Sequence, residues 1–114
     1  MKVFDRILSC LLMLGGIGHT LGSLKAYKDD PMTLLWALCA TLFVFLFSSI
    51  NLLRASHPGD TALAWICIVF GIFWIAASLR FGQLVGNIFD FRAMIFVVLT
   101  LGLCAMSVRT MRTR

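Results

Sequence analysis

The chain has 114 residues, of which 61% are hydrophobic and 13% charged, with a formal net charge of +5 and a mean hydropathy of +0.97. That balance is too apolar for a water-soluble fold of this size and leaves room for one small domain, residues 1–114. The positive charge gathers at the ends of apolar runs, where it suits membrane boundaries and anionic headgroups and argues against nucleic acid as a partner.

A hydrocarbon core of about 30 Å takes about 20 helical residues to cross, and four runs reach that length. The first is residues 7–24. Lys2 and Arg6 precede it as in a signal peptide, but no Ala-x-Ala pattern follows, so it reads as a retained span. Gly15, Gly18, His19 and Gly22 share one face at spacings of three and four, which predicts a helix-packing seam. Gly18-x-x-x-Gly22 equally suits a homodimer contact. His19 lies about 8 Å inside the outer helix end at 1.5 Å per residue. An imidazole there either bonds a neighbouring helix or marks a functional site.

Asp29-Asp30-Pro31 supplies a cap and a first-turn proline for the second span, residues 31–53. Ala37, Thr41 and Ser48 form its small face. His57-Pro58-Gly59-Asp60 reads as a turn that caps the third span, residues 61–79, whose small face is Ala64, Cys67, Gly71 and Ser78. Residues 80–90 contain Gly82 and Gly86 but are too apolar for an ordinary loop, and predict an interfacial segment. The fourth span, residues 91–108, carries Ala93, Thr100, Cys104 and Ser107. Tyr27, Trp36 and Trp65 sit near predicted helix ends, as an aromatic belt does.

The expected fold is an all-α integral membrane protein, an antiparallel four-transmembrane-helix bundle with short loops. With four spans both termini share a side, which carries Lys2, Arg6, Arg54, Arg109, Arg112 and Arg114 against Lys25, Lys28, Arg80 and Arg92 opposite. The positive-inside rule puts that side in the cytoplasm.

Little chemistry is encoded. Glutamate is absent, and the aspartates, Asp5, Asp29, Asp30, Asp60 and Asp90, fall at predicted helix ends or turns, so no carboxylate is expected at mid-membrane. In length and span number the chain resembles the small multidrug resistance transporters, a family that depends on a carboxylate in its first helix. Leu14-Gly15-Gly16-Ile17-Gly18-His19-Thr20 offers only histidine there and departs from that pattern. Cys10, Cys39, Cys67 and Cys104 lie one per span without a C-x-x-C pair, so neither a disulfide framework nor a metal site is expected, and no cofactor.

A ligand site is predicted at the outer boundary. Arg80, Gln83, Asn87 and Asp90 recur at i, i+3, i+7 and i+10, and if helical they share a face at the level of His19, Ser23 and Tyr27. Such a cluster under an apolar bundle suits the polar end of a lipid-like or amphipathic molecule, bound or translocated by a homo-oligomer. Two other functions compete: a non-catalytic accessory subunit that docks its small-residue faces onto a larger membrane complex, and a membrane enzyme using His19 and Asp90 as acid and base.

Overall fold

Capping residues delimit the helices. The computed structural model describes residues 2–112, which form α1 (Lys2–Ala26), α2 (Pro31–Ser56), α3 (Thr61–Leu84) and α4 (Phe91–Arg112). Asp30 accepts a hydrogen bond from Thr33 N at 3.2 Å to open α2, and Asp60 accepts from Leu63 N at 3.0 Å to open α3. Each bond satisfies an amide that a helix start otherwise leaves bare. All four helices are long and apolar enough to cross a membrane.

The third connection is part helix and part turn. Helix α3 continues through Arg80 and Gln83 and stops at Leu84, so residues 80–90 do not form the single helix on which a shared face for Arg80, Gln83, Asn87 and Asp90 depends. Gly86 adopts φ +85°, a left-handed conformation that side chains oppose. Asn87 N then bonds Gly82 O at 2.9 Å and Gly86 N bonds Gln83 O at 3.0 Å, the paired closing bonds of a Schellman motif. A Cβ on Gly82 would meet Ile88 Cα at 3.0 Å, so the turn folds directly back over that glycine. The proposed polar face is thereby cut after Gln83.

Helices α1 and α2 pack closely as one hairpin and α3 and α4 as another, with α1 against α4 and α2 against α3 closing the ring. The core joins Leu8, Leu12, Val44, Phe47, Phe96 and Leu103. Four buried positions of α1, Ser9, Leu12, Gly16 and Ser23, recur at the same spacings in α3 as Ala64, Cys67, Gly71 and Ser78. The two hairpins thus present matching inner faces.

Outside, the polarity expected of a soluble protein is reversed. Leu21, Trp36, Leu42, Phe73 and Val98 are each at least 64% exposed, while Ser9, Ser48, Asn51, Arg54, Thr100 and Ser107 are fully enclosed. An apolar exterior of this extent calls for an apolar surrounding.

The seam of α1 also runs differently from its prediction. Gly18 and Gly22 face outward, with no atom within 4 Å of an added Cβ. Gly16 takes the interior place, its Cβ position lying 3.0 Å from Val44 and Phe45. Gly15 abuts the Phe96 ring, and Gly71 lies against Cys104, where an added Cβ would approach Sγ to 2.6 Å. The physical reason is the core pattern Leu8, Leu12, Gly16, which turns Gly18 and Gly22 away from α2.

Overpacking a close helix contact costs about 1 to 3 kcal/mol. Gly71→Val is therefore expected to lower unfolding stability in detergent by that amount. Gly18→Ala should leave it within about 1 kcal/mol, because only helix propensity changes.

Candidate functional site

The predicted outer-boundary residues fall into separate sets of contacts. His19 Nδ1 is hydrogen-bonded to Thr41 Oγ1 of α2 at 2.8 Å, and its ring meets Phe96 of α4 edge-on with centroids 6.4 Å apart. Thr20 Oγ1 reaches the same hydroxyl at 3.3 Å. Histidine here ties α1 to α2 and α4 within the bundle. Ser23 is buried, and its carbonyl accepts Tyr27 N at 2.9 Å.

Arg80 donates to Gln83 Oε1 at 3.2 Å on the exposed last turns of α3. Asn87 Oδ1 accepts Phe89 N at 3.0 Å and shapes the turn. Asp90 caps α4 through Arg92 N and also pairs with the Arg92 side chain at 3.0 Å. The Arg92 guanidinium stands 5.3 Å over the Phe81 ring, and Tyr27 is near enough to interact with it electrostatically. The contacts therefore gather Phe81, Asp90 and Arg92, with Tyr27 within electrostatic range of Arg92, whereas His19 bonds elsewhere. Arg92 was not among the predicted site residues.

Two of these boundary carboxylates are tuned by their bonds. The Thr33 hydroxyl and amide hold Asp30 below the usual carboxylate range, and the Arg92 side chain does so for Asp90. A depressed carboxyl contributes stability above its unfolded pKa and loses it as pH falls through the folded value. Thermal stability is thus expected to decline on acidification below about pH 4.

The densest polar cluster lies at the opposite end. Arg54 of α2 is wholly enclosed, and its guanidinium grips Asp5 of α1 with two bonds of 2.6 and 2.8 Å. It also donates to Thr110 Oγ1 of α4 at 3.0 Å and to Asn51 Oδ1 at 3.1 Å. Asn51 Nδ2 in turn donates to Phe47 O at 2.9 Å, and Cys67 of α3 lies beside Arg54 and Ser107. All four helices meet at this guanidinium. Asp5 lies in the first turn of α1, at a helix end as expected, but it is buried there, and Arg54 in the last turn of α2 is enclosed with it. The available signal was Asn51-x-x-Arg54, whose spacing puts amide and guanidinium on one helix face.

Two concavities flank these clusters. A half-open cavity of about 310 Å³ at the Arg54 end is lined by Lys2, Asp5, Ala55, Met106, Arg109 and Thr110 among others. An open apolar trough of about 630 Å³ runs between α1 and α4, along Leu11, Leu14, Gly15, Phe91, Ile95 and Val98. Among the described residues no three of His, Cys, Asp and Glu converge as a metal site would require.

No known protein family matches the chain, and neither a curated protein nor a solved structure is similar to it.

Removing one partner of a buried ion pair strands the other charge and costs about 3 to 5 kcal/mol. Asp5→Leu and Arg54→Met are each expected to destabilise the fold by that amount. Combined, they should cost less than either alone, as a double-mutant cycle in detergent would read.

Proposed function

We propose that this chain is a multi-pass membrane protein, an antiparallel four-span bundle with both termini in the cytoplasm, that binds an anionic amphipathic molecule between α1 and α4. The trough carries the reading. Its volume lies within the range of small-molecule sites, and its lining is almost wholly apolar. Along α4 it extends from Phe91 to Leu99, about 12 Å at 1.5 Å per residue. At its outer end Phe91 adjoins Arg92, which has Tyr27 for company. A hydrocarbon chain in the trough would bring an acidic headgroup to that guanidinium and phenol. The site keeps Tyr27 and Asp90 from the sequence prediction, the latter as the carboxylate that steadies Arg92.

The orientation rests on charge. Lys2, Arg6, Arg109, Arg112 and Arg114 flank the terminal end against Lys25, Lys28, Arg80 and Arg92 at the other, a bias that survives setting the ion-paired Arg54 aside.

A second reading, an accessory subunit or homo-oligomer, draws on Gly18 and Gly22. Their outward, uncovered faces would let another helix approach closely. Native mass spectrometry of protein released from lipid nanodiscs separates the two. Val98→Trp fills the trough from a position outside the core and is expected to lower retained anionic lipid about tenfold, comparable to losing about two buried methylenes. Unchanged retention would remove the trough reading. Loss of a bound protein subunit in Gly18→Ile would favour the docking reading instead.

A further inference from the structure

The α1 wall of the trough continues beyond the trough itself. Leu11 and Gly15 line the trough, and Gly18, Gly22 and Lys25 follow on the same side of α1 at spacings of three, four and three residues. An added Cβ at Gly18 or Gly22 would meet nothing within 4 Å, so this stretch is open from the trough outward. From Leu11 to Gly22 it runs about 16 Å at 1.5 Å per residue, close to half of a hydrocarbon core of about 30 Å. That length suits the chain of a lipid from one leaflet. Lys25, exposed in the last turn of α1, stands where the headgroup of such a lipid begins.

Charge pairing at this end sets Lys25 apart from its neighbours. Arg92 directs Nε and Nη2 at the two oxygens of Asp90, each at 3.0 Å, so its charge is met within α4. Asp30 is engaged by Thr33 in capping α2. Asp29, four residues beyond Lys25, lies past the end of α1, and among the described residues no carboxylate forms an ion pair with Lys25. Lys28 also lies past the helix end, in the turn.

We propose that Lys25 is the residue that selects the headgroup at the trough, and that the occupant is an anionic phospholipid of the leaflet at the Tyr27–Arg92 end. Its chain lies along Leu11 to Gly22 and its phosphate meets the Lys25 ammonium in a charge-assisted hydrogen bond. The bare surfaces of Gly18 and Gly22 leave room for the glycerol region, which is bulkier than a single chain. Arg92 and Tyr27 border the headgroup from the α4 side, while the unpaired charge comes from α1. A choline headgroup would bring its own cation to the same place and forgo that attraction. This site rests on the reading of the trough as a lipid site, and it adds the leaflet, the headgroup class and the residue that chooses between headgroups.

The test uses the full chain in nanodiscs of mixed phosphatidylcholine and phosphatidylglycerol, read by native mass spectrometry. Wild type is expected to retain phosphatidylglycerol in preference to phosphatidylcholine. Lys25→Gln should cut that preference about fivefold with the total lipid retained unchanged, whereas Lys28→Gln, which removes equal charge from the adjacent turn, should leave it within about twofold. Gly22→Leu places a side chain in open space between the trough and Lys25, and should lower retention of both lipids without lowering thermal stability. Equal loss of preference in Lys25→Gln and Lys28→Gln would mean diffuse attraction and overturn the role of Lys25. Preference kept in Lys25→Gln but lost in Arg92→Gln would put the headgroup on Arg92 and overturn it as well. In either case the trough would still hold lipid, and its own reading would stand. Retention of no lipid by wild type would overturn both.

Discussion

An arginine with no exposed surface sets the terms for this bundle. Away from water a guanidinium is tolerable only when its charge is cancelled and its N–H groups are directed at acceptors. Arg54 meets those demands at its two terminal nitrogens, with a carboxylate from α1, a hydroxyl from α4 and an amide from its own helix, while Nε has no hydrogen-bond partner among the described residues. Because the Asp5 contact is bidentate, sliding α1 by one turn, about 5.4 Å, would break both bonds. The register of three helices is thereby fixed at one point near one end. At the other end the His19–Thr41 bond and the His19–Phe96 contact join the same three helices with uncharged groups.

Between these ends the helices are held by close approach. Gly16 lets α1 settle on Val44 and Phe45, and Gly71 lets α3 settle on Cys104. Phe43, Trp74 and Phe96 fill the wider spaces, with Trp74 tilted on Phe43 at 5.1 Å and edge-on to Phe96 at 5.5 Å. In the membrane setting proposed above, this packing, with its dispersion contacts, would do the work that water exclusion does elsewhere. The trough between α1 and α4 lies where two hairpins with well-matched internal contacts meet each other less fully.

Much of the architecture was legible in the sequence. Four apolar runs, two Asp caps and the Pro31 start are local signals, and they predicted the number and approximate bounds of the helices. The faces of α3 and α4 were legible as well, since Ala64, Cys67, Gly71 and Ser78 and then Ala93, Thr100 and Ser107 are all buried. The α1 face was harder because six of residues 15–23 are glycine, serine or threonine, and Gly16 competes with Gly15 and Gly18. Choosing among them takes knowledge of what α2 presents. The Asp5–Arg54 pair was hidden for a related reason: a charge near the end of an apolar run reads as solvated until a partner from a distant segment is known. Arg92 escaped notice because the predicted segment ended at Asp90, while its capping bond and the Phe81 contact appear only once α3 turns back over Gly82.

The ion pair also bears on how such a chain is made. In the membrane setting proposed above, α1 leaves the ribosome before the residue that neutralises Asp5 has been synthesised. A lone aspartate within a helix costs up to about 3.5 kcal/mol at the bilayer centre and less toward its edge. That cost is relieved once α2 delivers Arg54. The first helix is therefore best held at the interface, or beside the insertion machinery, until the second is complete. Biogenesis then proceeds by hairpins, and the matched inner faces of α1 and α3 make the second hairpin a near repeat of the first.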